Sequence, residues 1–523
     1  MKETIAALRA LERKNYAYTY AQSLITYDAE TGAPAESAAG RAEAVEVLSR
    51  AQFDLLTDPA LDALLDRADE AAGNEQEHAE VRELRRMLSR IRPIPADEYA
   101  AFERLTQESV AAWAKAKKAG DFSLFAPCLE KLVEGRRRQA EQIAPGRDPY
   151  ETLLDQYEPG LTVERCDAFF ATVRGAVVPL LEAVQARGSA VRTDFLDQEW
   201  PVEGQRALAQ KIMKLWGLDP ERCVLAESEH PFTDGFNTSD VRITTHYMPR
   251  DVLSSLYSVA HEGGHALYEL HVDPALNYTV LAGGASMGLH ESQSRLFENM
   301  VGRSKGCIHL LWPTLNTLFH NQLGGVTEEE FYRAANRAEP GLIRTEADEL
   351  TYCLHILVRY ELEKALMHGE LTVADLPVAW NEKYREYLGL DVPDDARGVL
   401  QDIHWAWGNF GYFPSYALGS AYAAQAVDSL QKTIDFDAMY EAGDLGPLRD
   451  ALTDRLWRYG NLKETGWLVE SLCGGPFDPK YYISYLKKNI PNCIACKRPS
   501  RSPCRCAKPA GGFFALRLPG TDT

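Results

Sequence analysis

Apolar residues along this chain recur mostly at the helical period. The pattern predicts helices over residues 2–26, 36–55, 76–91, 97–119, 163–187, 203–216, 326–337, 345–369 and 447–459. One stretch keeps a different rhythm: over 222–248, Val241-Arg242-Ile243-Thr244-Thr245 alternates and clusters β-branched residues, bounded by Asp234-Gly235 and Pro249. Such a stretch fits a half-buried pleated surface, so a small β-ribbon is expected there. No internal repeat is visible.

One helical segment also carries chemistry. His261-Glu262-Gly263-Gly264-His265 has the form H-E-x-x-H, and Leu256, Val259, Ala260, Leu267 and Leu270 give it an apolar face. On a helix His261 and His265 lie one turn apart and face the same way, so both imidazoles can reach one metal ion. Glu262 lies about 100° further round, where a general base for a metal-activated water belongs. Gly263 and Gly264 cost the helix about 1 kcal/mol each relative to Ala. That cost predicts a close backbone approach at this point, for example by a substrate strand.

A catalytic zinc needs a third protein ligand and an open position. His271 continues the spacing H-E-x-x-H-x-x-G-x-x-H, but Tyr268 stands where the helix-breaking glycine belongs. If the helix runs on, His271 lies about 15 Å along the axis from His261, too far to share its ion. A better source is the run after Gly283-Gly284, where Ser286 is placed to cap a second helix packing through Leu289, Leu296 and Phe297. Glu291 is the preferred ligand on it, and spacing leaves Glu298 and His290 as alternatives.

Several ordered strings make the chain resemble the metallocarboxypeptidase family named after carboxypeptidase Taq. They are His230-Pro231-Phe232, Asp240-Val241-Arg242-Ile243-Thr244, the pentad, His290-Glu291-Ser292-Gln293-Ser294-Arg295, Ile343-Arg344-Thr345-Glu346-Ala347-Asp348-Glu349-Leu350-Thr351-Tyr352, and Gly398-Val399-Leu400-Gln401-Asp402-Ile403-His404-Trp405. Tyr27-Asp28-Ala29-Glu30-Thr31 is similar to the family's W-D-x-E-T, with tyrosine in place of tryptophan. The resemblance implies His261, His265 and Glu291 as metal ligands, Glu262 as base, and Arg242 and Arg344 in the substrate cleft. It also implies that the N-terminal third forms one wall of that cleft, and a homodimer. A free C-terminal carboxylate suits a guanidinium, which grips it with two parallel hydrogen bonds.

The chemistry of peptide hydrolysis then asks for further groups. A neutral donor must meet the charge developing on the carbonyl oxygen, and His230 and Tyr416, preferred over Tyr412, are the candidates. Metal-bound histidines normally donate their second N–H to a carboxylate or carbonyl, for which Asp348, Glu349 and Asp402 are candidates. His404 and Trp405 are placed either on the cleft wall or in the core. Zinc is the expected ion, and cobalt or manganese also suits two histidines and a glutamate. The expected reaction is removal of single residues from peptide C-termini. A metallo-endopeptidase or a dipeptidase would use the same ion site, and a non-catalytic peptide-binding scaffold is the reading from another class.

Composition narrows the setting. With 523 residues, 45% of them hydrophobic, the chain suits a mainly α, large two-lobed helical fold with a deep central cleft and the β-ribbon beside the active site. The expected division is 1–205 as one cleft wall, 206–488 as the catalytic part of the same unit, and 489–523 as an irregular tail. A formal charge of −20 argues against a nucleic-acid partner. Neither a signal peptide nor a membrane span is expected. Cys128, Cys166, Cys223, Cys307, Cys353 and Cys473 are scattered singly, as buried thiols of a cytoplasmic protein would be. The tail holds Cys493, Cys496, Cys504 and Cys506 at a spacing that does not match the usual zinc knuckle.

Overall fold

Helices account for most of the computed structural model, which describes residues 2–187 and 191–489. The irregular tail expected over 489–523 lies, from 490 on, outside the described residues. Four helices open the chain: α1 (Lys2–Thr31), α2 (Ala38–Thr57), α3 (Ala60–Ala71) and α4 (Glu75–Ser89). Leu61 and Leu65 on α3 and Val81, Leu84 and Leu88 on α4 recur at helical spacing and meet Ile5, Leu8 and Leu56 in a small core of their own. Asn74 starts α4 sharply, its side chain accepting from the Glu77 N–H.

Everything after these four helices shares a second, far larger core, which takes in the helices of residues 96–216 as well as the later part of the chain. It runs from Phe102 and Leu129 through Trp216 and Leu267 to Leu486. The elements that build it begin with α5 (Ala96–Ala119), α6 (Ala126–Ile143), α7 (Pro149–Tyr157), α8 (Val163–Arg187) and α9 (Val202–Trp216). Strands β1 (Cys223–Glu227), β2 (Thr233–Asn237) and β3 (Asp240–Thr245) follow. Helices α10 (Val252–His271), α11 (Met287–Arg295), α12 (Lys305–Leu318), α13 (Glu328–Ala335), α14 (Tyr352–His368) and α15 (Leu376–Leu388) come next, and α16 (Phe413–Leu430), α17 (Phe436–Ala442), α18 (Gly446–Arg455), α19 (Thr465–Cys473) and α20 (Lys480–Asn489) complete the order.

The β-region is a three-stranded sheet in the order β1-β3-β2, a hairpin extended by one parallel strand. Val241 and Ile243 point into the core beneath α10, while Arg242 between them points the other way and is half-buried. Several predicted helices are shorter than their periodicity, that over 447–459 ending at Arg455. The stretch from 345 becomes helical only at Tyr352, because the Asp348 carboxylate takes the Leu350 and Thr351 N–H groups and turns the chain first. Over 326–337 a capping box between Thr327 and Glu330 sets the start of α13.

A cavity of about 350 Å³ lies between α1 and the β2 edge, closed on one side by residues of the α10–α11 connection. Among the described residues no helix is long and apolar enough to cross a membrane. The six cysteines of the body are free thiols, five of them buried.

Candidate metal centre

The two histidines and Glu291 come together because three helices approach unusually closely. A Cβ on Gly264 would stand 2.5 Å from the Gln293 carbonyl oxygen and 2.8 Å from the Ser294 Cα, so the backbones of α10 and α11 touch there. On the other side of α11, a Cβ on Gly419 of α16 would stand 2.6 Å from the Glu291 Cγ. The close approach expected at the pentad glycines is therefore made by helix α11, not by substrate. Gly263 faces the Trp216 ring, whose indole N–H donates to the Ala260 carbonyl at 3.2 Å.

Ser286 caps α11, accepting from the Leu289 N–H. Glu158 pins that same end: its buried carboxylate accepts from the Ser286 hydroxyl at 2.9 Å, from the Ser415 hydroxyl at 2.8 Å and from the Gly288 N–H. Helix α11 is thus tied to both α7 and α16. At its other end it passes directly into a π-helical turn, Leu296–Gly302, a feature common at functional sites.

The geometry that results fits one divalent ion. Glu291 Oε2 lies 3.7 Å from His261 Nε2 and 3.5 Å from His265 Nε2. An ion about 2.1 Å from each of two ligands at the tetrahedral angle separates them by roughly 3.4 Å. Mutual spacing within 4.8 Å holds for all three donor atoms. His261 keeps 12% of its side chain exposed and the other two are nearly dry, which leaves approach open from one side.

Each ligand is held by a partner behind it. His261 Nδ1 meets Glu298 Oε2 at 2.9 Å. His265 Nδ1 meets His290 Nδ1 at 2.6 Å, and His290 Nε2 meets Glu269 Oε1 at 2.7 Å. A protonated Nε2 on His290, donating to Glu269, leaves its Nδ1 to accept from His265, so the chain of bonds presents a lone pair on His265 Nε2. Burial holds His265 down to about 3, a neutral ligand. Glu291 Oε1 accepts from Arg295 Nε at 2.7 Å, while Oε2, which accepts from the Ser294 hydroxyl at 3.0 Å, is the oxygen turned to the two histidines. Burial would raise this carboxyl, but Arg295 and the two histidines outweigh it and keep Glu291 ionised.

Glu262 is not one of the three donors, and its Oε2 accepts from the Thr233 hydroxyl at 2.7 Å. Burial pushes it up to about 7, against the pull of His261 and Thr233. His271 is not near the ion site: α10 runs on past Tyr268, and His271 bonds the Leu267 carbonyl and packs on Trp457.

The carboxylates offered from sequence as histidine partners bond elsewhere. Asp348 caps the turn before α14, Glu349 faces Tyr485, and Asp402 joins two arginines. Glu298 and His290, weighed as alternative ligands, stand behind the histidines instead. Sequence reasoning missed Glu269, although a carboxylate one turn after His265 on the same face was a signal available to it.

Arg344 and Arg359 share the one carboxylate of Asp402, at 3.0 Å and 2.6 Å from their Nε atoms, and Arg344 Nη1 reaches the Tyr352 hydroxyl at 3.2 Å. Burial and Arg344 hold neighbouring His404 down to about 3, so it adds no charge. Tyr416, three residues before Gly419 on α16, hydrogen-bonds His404 Nε2 at 3.2 Å and packs against Tyr412. Trp405 belongs to the core, donating to Glu363 at 2.8 Å.

Arg242 is paired one to one with Asp240 through two 2.9 Å bonds, and its guanidinium lies over the rings of Tyr27 and Phe236. The tyrosine that replaces the family's tryptophan therefore serves as a platform for this arginine. His230 sits half-buried between β1 and β2, its carbonyl accepting from the Ser228 hydroxyl.

Comparison with known proteins agrees with this architecture. The family described as carboxypeptidase Taq (M32) metallopeptidase matches residues 7–490. Carboxypeptidase 1 of Bacillus subtilis is 38% identical over 480 residues, covering 91% of this chain and 95% of that protein. A solved structure of the Pyrococcus furiosus carboxypeptidase superposes with a TM-score of 0.90 at 34% identity, covering 93% of this chain and 99% of that one. Metallocarboxypeptidase 1 of Trypanosoma cruzi gives 0.90 at 32% identity, covering 94% and 100%. By sequence and by fold alike, the chain belongs to the carboxypeptidase Taq (M32) family of metallopeptidases.

Proposed function

We propose that this metallocarboxypeptidase removes single residues from peptide C-termini using one zinc ion held by His261, His265 and Glu291. The observation that carries the reading is the triangle formed by the two Nε2 atoms and Glu291 Oε2, each backed by a bond that fixes its orientation. Two imidazoles and a carboxylate are a catalytic zinc's donor set, and cobalt or manganese also suits it. When bound, the ion supplies Lewis-acid chemistry, acidifying a water and polarising the scissile carbonyl.

The chain's own residues do the rest. Glu262, oriented by Thr233, takes the proton of the attacking water and returns it to the leaving amine. A carboxyl raised toward neutrality suits both transfers. Tyr416, kept protonated by burial, donates to the carbonyl oxygen as charge develops there. His230 is the other candidate donor.

Arg344 takes the C-terminal carboxylate. Two guanidiniums with one carboxylate between them leave a buried surplus of one positive charge, whereas Arg242 is already neutralised by Asp240. A peptide and its C-terminal amide test this reading directly. The amide is expected to lose at least about a hundredfold in kcat/KM, a buried charged hydrogen bond being worth roughly 3 kcal/mol. Equal rates would point to an endopeptidase.

A further inference from the structure

The cavity between α1 and β2 begins beside the reaction centre. Thr233, which orients Glu262, lines it together with Ser286 and Met287 at the start of α11. Glu12 on α1 lines it as well. It is 1% exposed, its Oε1 accepts from the Val280 N–H at 3.1 Å, and its Oε2 has no hydrogen-bond partner. A buried carboxylate oxygen left bare is uncommon and costs roughly 1–3 kcal/mol, so it calls for a donor.

Among the described residues no cation fills that role. Arg9, one turn earlier on α1, bonds the neighbouring carboxylate of Glu80. Of the cavity's arginines, Arg86 pairs with Glu83, Arg90 bonds the Asp155 carbonyl, and Arg136 bonds Gln139 and the Gly408 carbonyl. Arg13 lies over the Tyr278 ring. With both ionised, Glu12 and Glu80 would together face one guanidinium, a shortfall of one positive charge. Burial and Glu80 push Glu12 up to about 8, so its proton is held until a cation replaces it.

A second feature marks the same place. Tyr278, on the cavity wall, has φ 67°, the one positive value at a non-glycine among the described residues. Such a conformation costs of order 1–3 kcal/mol and collects at ligand sites. It sets the Tyr278 ring edge-on to Tyr16, centroids 4.9 Å apart, and the Tyr16 hydroxyl accepts from Asn237 of β2. The cavity is thereby bridged from α1 to the sheet by aromatic and neutral polar groups.

We propose that Glu12 is the anchor of a subsite for an alkylammonium group carried by the peptide on the amino-terminal side of the scissile bond. This rests on the carboxypeptidase reading, with Arg344 fixing the other end of the substrate. The ammonium comes either from the free α-amine of a short peptide or from a lysine side chain within a longer one.

Peptides of increasing length with neutral side chains, each as free amine and as Nα-acetyl form, separate the two sources when joined by an acetylated set in which one lysine, against norleucine, is moved along the chain. The wild-type enzyme is expected to favour the charged member about tenfold in kcat/KM at one length or one lysine position, through KM. Glu12→Gln is expected to bring that ratio to about one. Absence of preference at every length and lysine position overturns the proposal, as does a preference that survives in Glu12→Gln. The wild-type comparison decides the matter even if the variant folds poorly. Failure of every peptide, charged or uncharged, to release a C-terminal residue would instead sink the carboxypeptidase reading itself.

Discussion

The candidate metal centre and the first four helices of the chain are both helical, yet they belong to different cores. Around the metal, α10, α11 and α16 meet backbone to side chain and backbone to backbone at Gly264 and Gly419, inside a core that continues through most of the chain. Helices α1 to α4 enclose a small core of their own, and Val280 packs against both cores. Polar contacts also join α1 to the sheet, such as Tyr20 with Asp240 and Tyr16 with Asn237. Dense packing there brings the three donor atoms within 4.8 Å of one another, as binding one ion demands. The first helix instead borders a cavity of about 350 Å³.

The same substitution is expected to have opposite effects in the two regions. Gly264→Ala forces a Cβ against the α11 backbone and should destabilise the fold by about 3 kcal/mol, read by denaturant titration. Gly40→Ala, in the exposed first turns of α2 with nothing within 4 Å of its Cβ, should stabilise by about 0.5 kcal/mol. A small cost at Gly264 would show that α11 can yield, and the contrast would fail.

Between these in size stands Glu269→Gln. It keeps the shape but weakens the bond that orients His290 and, through it, His265. Metal affinity should fall about 10- to 100-fold, measured by competition with a chelating dye. An unchanged affinity would mean that packing alone aims His265.

Much of this was legible in the sequence because period and spacing are local properties. The pentad on a helix, the cap at Ser286 and the β-region follow from residues within a few positions of one another. What stayed hidden depends on chain segments far apart. Glu158 bonds residues about 130 and 257 positions away, and Asp402 draws Arg344 and Arg359 together across distant segments. Gly264 looked like room for a substrate because nothing near it in sequence names α11 as its neighbour. The partners of His261 and His265 were misplaced to Asp348, Glu349 and Asp402 for the same reason.

The central claim is that His261, His265 and Glu291 hold one catalytic ion while Glu262 beside them handles protons. The most direct test is metal content per chain, measured with peptide turnover on the same samples of wild type, Glu291→Gln and Glu262→Gln. The account predicts one ion in wild type, loss of ion and activity together in Glu291→Gln, and a retained ion with turnover reduced at least about a hundredfold in Glu262→Gln. Full metal content in Glu291→Gln, or full activity in Glu262→Gln, would contradict it.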